Sequence, residues 1–148
     1  MRFRFGSHFA ENGSIAQVLL TPTRLYVKSA LAAIRSGRVK GLAHITGGGI
    51  TENLPRIIPS HLLAEIDLAA WTAPAVFDWL SGAGGVTEGE MLRTFNCGIG
   101  LIAVIDEEFA PDCIASFAEA GDQARVIGFL SSASGHGRVR YSGTGLFA

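Results

Sequence analysis

Glycine and proline divide this chain into short apolar segments, and that division constrains the fold more than any other feature. Helical and strand-like segments alternate between these breaks, without a repeat, a low-complexity tract or an internal linker. Such alternation is typical of helices packed on a sheet. The sequence therefore predicts a single α+β domain, and 148 residues are enough to bury a core of its own.

Charge and composition exclude several classes of protein. The 12 Lys and Arg residues against 13 Asp and Glu leave no basic excess for non-specific binding to nucleic acid. No apolar run approaches the ~20 residues of a membrane-spanning helix. Cys97 and Cys113 form neither a disulfide framework nor a metal-ligand cluster, so a reduced, cytoplasmic protein is expected. We predict no metal site and no binding to nucleic acid or membrane.

The first predicted helix illustrates how the element boundaries are assigned. Thr21 is a suitable N-cap, Pro22 suits the first helical position, and Gly37 suits the exit. The apolar residues between them recur at helical spacing, which predicts a buried stripe. The predicted stripe consists of Val27, Ala30, Leu31 and Ile34.

Further along the chain, strands and helices continue to alternate. Leu42–Thr46, Leu63–Asp67 and Cys97–Ile105 are predicted strands, and the last of these is the strongest. Thr87 and Glu90 have the spacing of a capping box, which predicts a helix over Glu88–Phe95.

A glycine run directly after the first of these strands is the sharpest candidate for a binding site. Gly47, Gly48 and Gly49 would let backbone N–H groups approach an anion, and Arg56 could clamp a phosphate or carboxylate. His44 could exchange a proton near neutral pH. The alternative is a tight turn beside a structural histidine. The pattern is neither a Walker loop nor GxGxxG.

A second polar group lies at a predicted junction between a helix and a strand. Arg93, Thr94 and Asn96 precede Cys97 there, either as ligand-binding side chains or as caps for free backbone groups. Cys97 has no histidine nearby in sequence, so a small buried residue is expected.

Taken in order, these segments resemble one family, the C-terminal domain of phosphoribosylformylglycinamidine cyclo-ligase, also called aminoimidazole ribonucleotide synthetase. The resemblance covers nearly all of Leu19–Tyr141. Its motifs are Leu19-Leu20-Thr21-Pro22-Thr23-Arg24-Leu25-Tyr26-Val27-Lys28, His44-Ile45-Thr46-Gly47-Gly48-Gly49, Glu52-Asn53-Leu54-Pro55-Arg56, Ala64-Glu65-Ile66-Asp67, Val76-Phe77-Asp78-Trp79-Leu80 and Glu90-Met91-Leu92-Arg93-Thr94-Phe95-Asn96-Cys97-Gly98-Ile99-Gly100.

The resemblance implies a fold, a reaction and a set of site residues. The fold is a three-layer α/β/α mixed-sheet domain of the α+β class. The reaction is the ATP-dependent ring closure of formylglycinamidine ribonucleotide to aminoimidazole ribonucleotide in de novo purine biosynthesis. His44 is the implied catalytic residue. The implied substrate- and phosphate-binding residues are Thr46, Gly47, Gly48, Gly49, Asn53, Arg56, Arg93, Thr94 and Asn96.

The resemblance does not extend to the ATP-binding half of that enzyme. Because the resemblance begins at Leu19, we set residues 1–18 apart as a segment of uncertain origin and assign residues 19–148 to the domain. ATP and Mg²⁺ are implied for the full-length family, no cofactor is expected in this chain, and no catalysis is expected without the ATP-binding half.

The expected partners are a phosphorylated small molecule, a separate ATP-binding domain and a second copy in a homodimer. The alternative function is a stand-alone, non-catalytic domain that binds a phosphorylated small molecule or a protein.

Overall fold

The computed structural model describes residues 8–9, 13–133, 138–143 and 145–147. The strands are β1 (His8–Phe9), β2 (Gly13–Ser14), β3 (Val39–His44), β4 (Leu62–Asp67), β5 (Leu101–Ile105), β6 (Gly128–Ser132) and β7 (Val139–Ser142). The helices are α1 (Ile15–Leu19), α2 (Val27–Arg35), α3 (Gly49–Asn53), α4 (Ala75–Gly84), α5 (Glu88–Thr94) and α6 (Ala110–Glu119). None of the helices in these ranges is long and apolar enough to cross a membrane.

The strands form three small sheets. β1 pairs with β2, and β3 pairs with β5, both antiparallel. β4 is the central strand of the third sheet, where it runs antiparallel to β6 and parallel to β7. The combination of mixed sheets and helices confirms the predicted α+β class.

Strand β5 contributes to the main core and also lines a groove. Ile102 belongs to the main core, where it is joined by Ile50 of α3 and Met91 of α5. Successive strand residues point to opposite faces, so Leu101 and Ala103 face away from that core. With them, Ile114 and Phe117 of α6 line a groove. Helices therefore accompany the sheets, as the α+β class requires, and the three-layer arrangement stays a prediction.

The predicted start of the first long helix is wrong. Thr21 and Pro22 follow α1, and the Thr21 hydroxyl donates to the carbonyl of Gln17 at 2.9 Å. The next helix, α2, begins only at Val27, and no side chain caps it. The Thr-Pro pair therefore ends one helix instead of opening another, because a proline is equally suited to the position just beyond a helix end. The predicted exit is confirmed, since Gly37 has φ +72°.

The predicted buried stripe of that helix is also wrong. Val27, Leu31 and Ile34 are 66%, 43% and 50% exposed, and Ala30 is half-buried. The buried residues of α2 are instead Ser29 and Ala33. α6 is the main neighbour of α2, and the two small side chains allow the helices to pack closely. Periodicity identified the amphipathic helix correctly, but the apolar face of this helix points outward.

Two predicted strands are displaced from their expected bounds. The strand expected over Cys97–Ile105 begins at Leu101, because Cys97 and Gly98 have φ values of +47° and +99° and form a turn. The strand expected over Leu42–Thr46 instead spans Val39–His44. By contrast, β4 and α5 lie within one residue of their predicted bounds at each end, and the Thr87 side chain accepts from the amide of Glu90, as predicted.

Candidate functional site

His44 is the last residue of β3 and lies at the end of its ladder with β5. It pairs with Leu101 in the register, and its side chain is exposed. The ring of Tyr26 meets the imidazole edge-on, with centroids 6.0 Å apart. A Cβ on Gly100 would overlap the Tyr26 hydroxyl, so this glycine lets the phenol approach the strand. The His44 side chain therefore lies exposed at the end of the β3–β5 ladder, beside Tyr26.

The glycine run turns the chain from β3 into α3. Gly48 and Gly49 have φ values of +95° and +56°, a region that favours glycine. The Gly49 amide donates to the Thr46 carbonyl at 3.0 Å, whereas the amides of Gly47 and Gly48 have no acceptor among the described residues. Thr46 and Gly47 are exposed. The turn therefore presents two free N–H groups, which is the feature required of a backbone anion site.

Asn53 holds this turn from inside the protein. Its side-chain amide donates to the carbonyls of Gly47 at 3.1 Å and Gly49 at 2.8 Å, and the residue is buried. The structure therefore places Asn53 beneath the loop, where it sets the shape of the turn.

The glycine turn packs against the C-terminal end of α5. A Cβ on Gly49 would overlap the Leu92 carbonyl oxygen and would lie 2.8 Å from that of Phe95. Thr51 adds a hydrogen bond from its hydroxyl to the same Leu92 carbonyl at 3.4 Å. The structure thus brings together the two segments that the sequence analysis singled out.

Arg93 and Glu52 form an ion pair across this junction. The Arg93 Nε donates to Glu52 Oε1 at 3.2 Å, and both side chains are largely exposed. Glu52 also lies over the turn, since its Oε2 is 2.9 Å from the position that a Cβ on Gly48 would occupy. An anion at the turn would therefore meet a carboxylate and an arginine together. The sequence analysis gave Glu52 no role, although its position one turn after Gly48 was a signal for this contact.

The remaining polar residues of the predicted site are engaged locally. The Thr94 hydroxyl donates to Glu90 at 3.1 Å, and Asn96 Oδ1 accepts from the Gly98 amide at 3.0 Å. Arg56 ends the short 3₁₀ turn Leu54–Arg56, is exposed, and makes no ion pair with a described residue. Of the two arginines, Arg56 is the one without a carboxylate partner in the described part of the chain.

Cys97, which follows the Arg93–Asn96 segment, is buried. It is 1% exposed, and burial raises the pKa of its thiol to about 12, with a smaller contribution from the charge of Glu88. The Trp71 indole donates to the Cys97 carbonyl at 3.0 Å. The predicted structural role of Cys97 as a small buried residue is confirmed.

The described residues contain no group of three or more His, Cys, Asp or Glu side chains that could hold a metal. Mg²⁺ bound with a nucleotide usually takes one or two carboxylates of the protein. Glu52 is the carboxylate that overlies the turn, and it is paired with Arg93. The binding of ATP and Mg²⁺ stays a prediction for the full-length family.

The comparison with protein families agrees with this architecture. The family model described as AIR synthase related protein, C-terminal domain, matches residues 3–140. The match includes residues 3–18, so the proposed domain division at residue 19 stays a prediction. Because it covers nearly the whole chain, we conclude that this chain belongs to the AIR synthase related family through its C-terminal domain.

Proposed function

We propose that this chain is the substrate-side domain of phosphoribosylformylglycinamidine cyclo-ligase. The proposed reaction converts formylglycinamidine ribonucleotide to aminoimidazole ribonucleotide in purine biosynthesis. The family match over residues 3–140 carries this proposal. ATP, bound by a separate half of the enzyme, would activate the formyl oxygen, and an internal nitrogen of the substrate would then close the ring.

The site geometry supports a division of roles within this chain. The ribonucleotide phosphate is assigned to the free amides of Gly47 and Gly48, with Arg56 and Arg93 supplying positive charge. Thr46 lies beside them and is exposed. Arg93 must exchange Glu52 for the phosphate, which makes the affinity dependent on that carboxylate. Thr94 bonds to Glu90 within α5, and Asn96 stabilises the turn that follows the helix.

His44 is assigned to proton transfer. An imidazole can take or return the proton that ring closure displaces. Its exposed position at the end of β3 leaves it open to a ligand. Asn53 acts indirectly, because its two hydrogen bonds fix the turn that carries the free amides.

Reconstitution with a separately produced ATP-binding half of a family member tests this function. We expect aminoimidazole ribonucleotide to form when both halves, ATP, Mg²⁺ and substrate are present, and not when either half is omitted. Arg93→Gln should lower the rate, whereas Arg125→Gln should leave it unchanged, because Arg125 contacts the Ala70 carbonyl elsewhere in the fold. Tight association of the halves without product would contradict the proposal.

A second candidate function is a stand-alone domain that binds a protein. The outward apolar stripe of α2 favours it, because contiguous exposed apolar surface tends to mark an interface. Leu25, just before the helix, is 85% exposed and extends the stripe. The occupant assigned here is a second copy of the chain. Sedimentation at micromolar concentration should give a dimer, and a monomer would remove this candidate.

A further inference from the structure

Tyr141 of β7 connects the sheet around β4 to the helix that follows the glycine turn. Its hydroxyl oxygen lies 2.9 Å from the hydroxyl oxygen of Thr51 in α3. Tyr141 is paired with Ile66 of β4 in the register, and it packs against the main core. This hydrogen bond therefore joins β7 to α3 from inside the protein.

The direction of this hydrogen bond follows from the second contact of Thr51. A hydroxyl group has one hydrogen, and the Thr51 hydroxyl donates it to the Leu92 carbonyl at 3.4 Å. The Tyr141 hydroxyl is therefore the donor to Thr51. Burial raises the pKa of Tyr141 above its ordinary value, although the hydrogen bond with Thr51 lowers it, so the phenol keeps its hydrogen at neutral pH. We call this arrangement the Tyr141–Thr51–Leu92 chain.

The Leu92 carbonyl is the point where this chain meets the glycine turn. Leu92 lies in the last turn of α5, where carbonyl groups lack partners within the helix. Gly49 is packed so closely against the same carbonyl that a Cβ would overlap it. The next residue, Arg93, pairs with Glu52 across the junction of α3 and α5. A displacement of Leu92 would therefore move both the glycine turn and Arg93.

We propose that Tyr141 is a positioning residue for the anion site at the glycine turn, and that it acts through Thr51 and the Leu92 carbonyl. This inference rests on the proposed function, which assigns the substrate's phosphate to the free amides of that turn. Asn53 fixes the turn against its own helix, whereas Tyr141 fixes α3 against α5. Tyr141 does not itself bind the ligand.

Phosphate titrations of two variants test the proposal. Tyr141→Phe keeps the ring and removes the hydroxyl, and Thr51→Val removes the hydroxyl and keeps the branched shape of the side chain. Inorganic phosphate, followed by the amide shifts of Gly47 and Gly48, should bind about two- to tenfold more weakly to each variant, the range expected from one net hydrogen bond. The variant with both substitutions should lose no more affinity than either alone, because both break the same chain.

Two further variants separate positioning from a general loss of stability. Thr51→Ser keeps the hydroxyl and should retain the phosphate affinity. The Ser131 hydroxyl donates to Glu65 Oε1 at 2.6 Å in the same sheet, on the face opposite to that of Tyr141. Ser131→Ala should therefore leave the phosphate affinity unchanged, whatever it costs in the free energy of unfolding.

Arg93→Gln distinguishes failure of this inference from failure of the proposed function. If Arg93→Gln weakens phosphate binding while Tyr141→Phe and Thr51→Val leave it unchanged, the positioning role is overturned and the anion site stands. If none of the three variants changes phosphate binding, the anion site itself is wrong and the positioning role is overturned with it.

Three other results would also overturn the positioning role. The losses of affinity could add in the double variant, which means that the two hydroxyl groups act separately. Thr51→Ser could lose as much affinity as Thr51→Val, which means that the hydroxyl of Thr51 is not what matters. Ser131→Ala could weaken phosphate binding as much as Tyr141→Phe, which assigns the loss to general stability.

Discussion

Gly49 lies directly against the carbonyl of Leu92, at the point where the glycine turn meets the end of α5. A Cβ at this position would overlap the Leu92 oxygen, and the φ of Gly49 is +56°. We expect Gly49→Ala to lower the free energy of unfolding by about 2–4 kcal/mol, from backbone strain and overpacking together. Urea denaturation measures this loss.

Gly47→Ala is the matched control for that substitution. A Cβ on Gly47 would meet nothing within 4 Å, and Gly47 is not among the glycines with positive φ. Its unfolding free energy should change by less than about 0.5 kcal/mol. Equal losses in the two variants would show that the contact with Leu92 does not position the turn.

The same polar substitution should cost much more stability at Ala33 than at Leu31. Ala33→Gln places a larger polar side chain in the contact with α6 and should cost about 1–3 kcal/mol of unfolding free energy. Leu31→Gln, on the exposed stripe, should cost less than about 0.5 kcal/mol and should weaken self-association. A large loss of stability for Leu31→Gln, measured by denaturation, would mean that the stripe is part of a core.

The Cys97 thiol should make the protein less stable at alkaline pH. Well below pH 9.0 the thiol is mostly neutral in both the folded and the unfolded chain, so its contribution is nearly constant. Between 9.0 and about 12 the unfolded thiol ionises while the folded thiol resists, because burial raises its pKa. The free energy of unfolding should therefore fall as pH rises through this range, and the fall should be smaller in Cys97→Ala.

The same burial should protect Cys97 from thiol reagents. The Cys113→Ser variant leaves Cys97 as the thiol that can be labelled. Near pH 8 an aromatic disulfide reagent should label Cys97 very slowly in the native variant and at once in the unfolded variant. The reason is that the thiolate is the reactive form, and burial disfavours it. Rapid labelling of native Cys113→Ser would contradict the enclosed position of Cys97.

Element types were predictable from the sequence to the extent that local chemistry determines them. The cap at Thr87 and the strand over Leu63–Asp67 depend on neighbouring residues, and both predictions are confirmed. The predicted half-buried pattern of that strand is wrong, because Leu63 and Ala64 lie on opposite faces and are both buried. The sequence could not predict whether the apolar stripe of α2 faces the core or the solvent, because that depends on which part of the fold packs against the helix. The turn at Cys97 was missed because its positive φ is set by contacts distant in sequence, including the hydrogen bond from Trp71.

The candidate site was predictable as two motifs but not as an arrangement. The sequence identified the glycine run and the Arg93–Asn96 segment, and the structure brings them together through α3 and α5. The inward direction of Asn53 and the pairing of Arg93 with Glu52 arise only from tertiary packing. Their assignment to substrate or to catalysis stays a prediction.

Glu52 and Arg93 should have opposite effects on anion affinity. Glu52→Gln removes the carboxylate that overlies the turn, so inorganic phosphate should bind about two- to fivefold more tightly at low salt. Arg93→Gln should weaken phosphate binding by a similar factor. Amide shifts of Gly47 and Gly48 during a phosphate titration measure both. Unchanged affinity in both variants would place the anion elsewhere.

Titration of the isolated chain with formylglycinamidine ribonucleotide, followed by amide chemical shifts, tests the central claim most directly. The account predicts saturable shifts at Thr46, Gly47, Gly48 and Arg93, weakened in Arg93→Gln and unchanged in the control Arg125→Gln. An absence of saturable shifts, or shifts confined to α2, would contradict the assignment of this chain as the substrate-side domain.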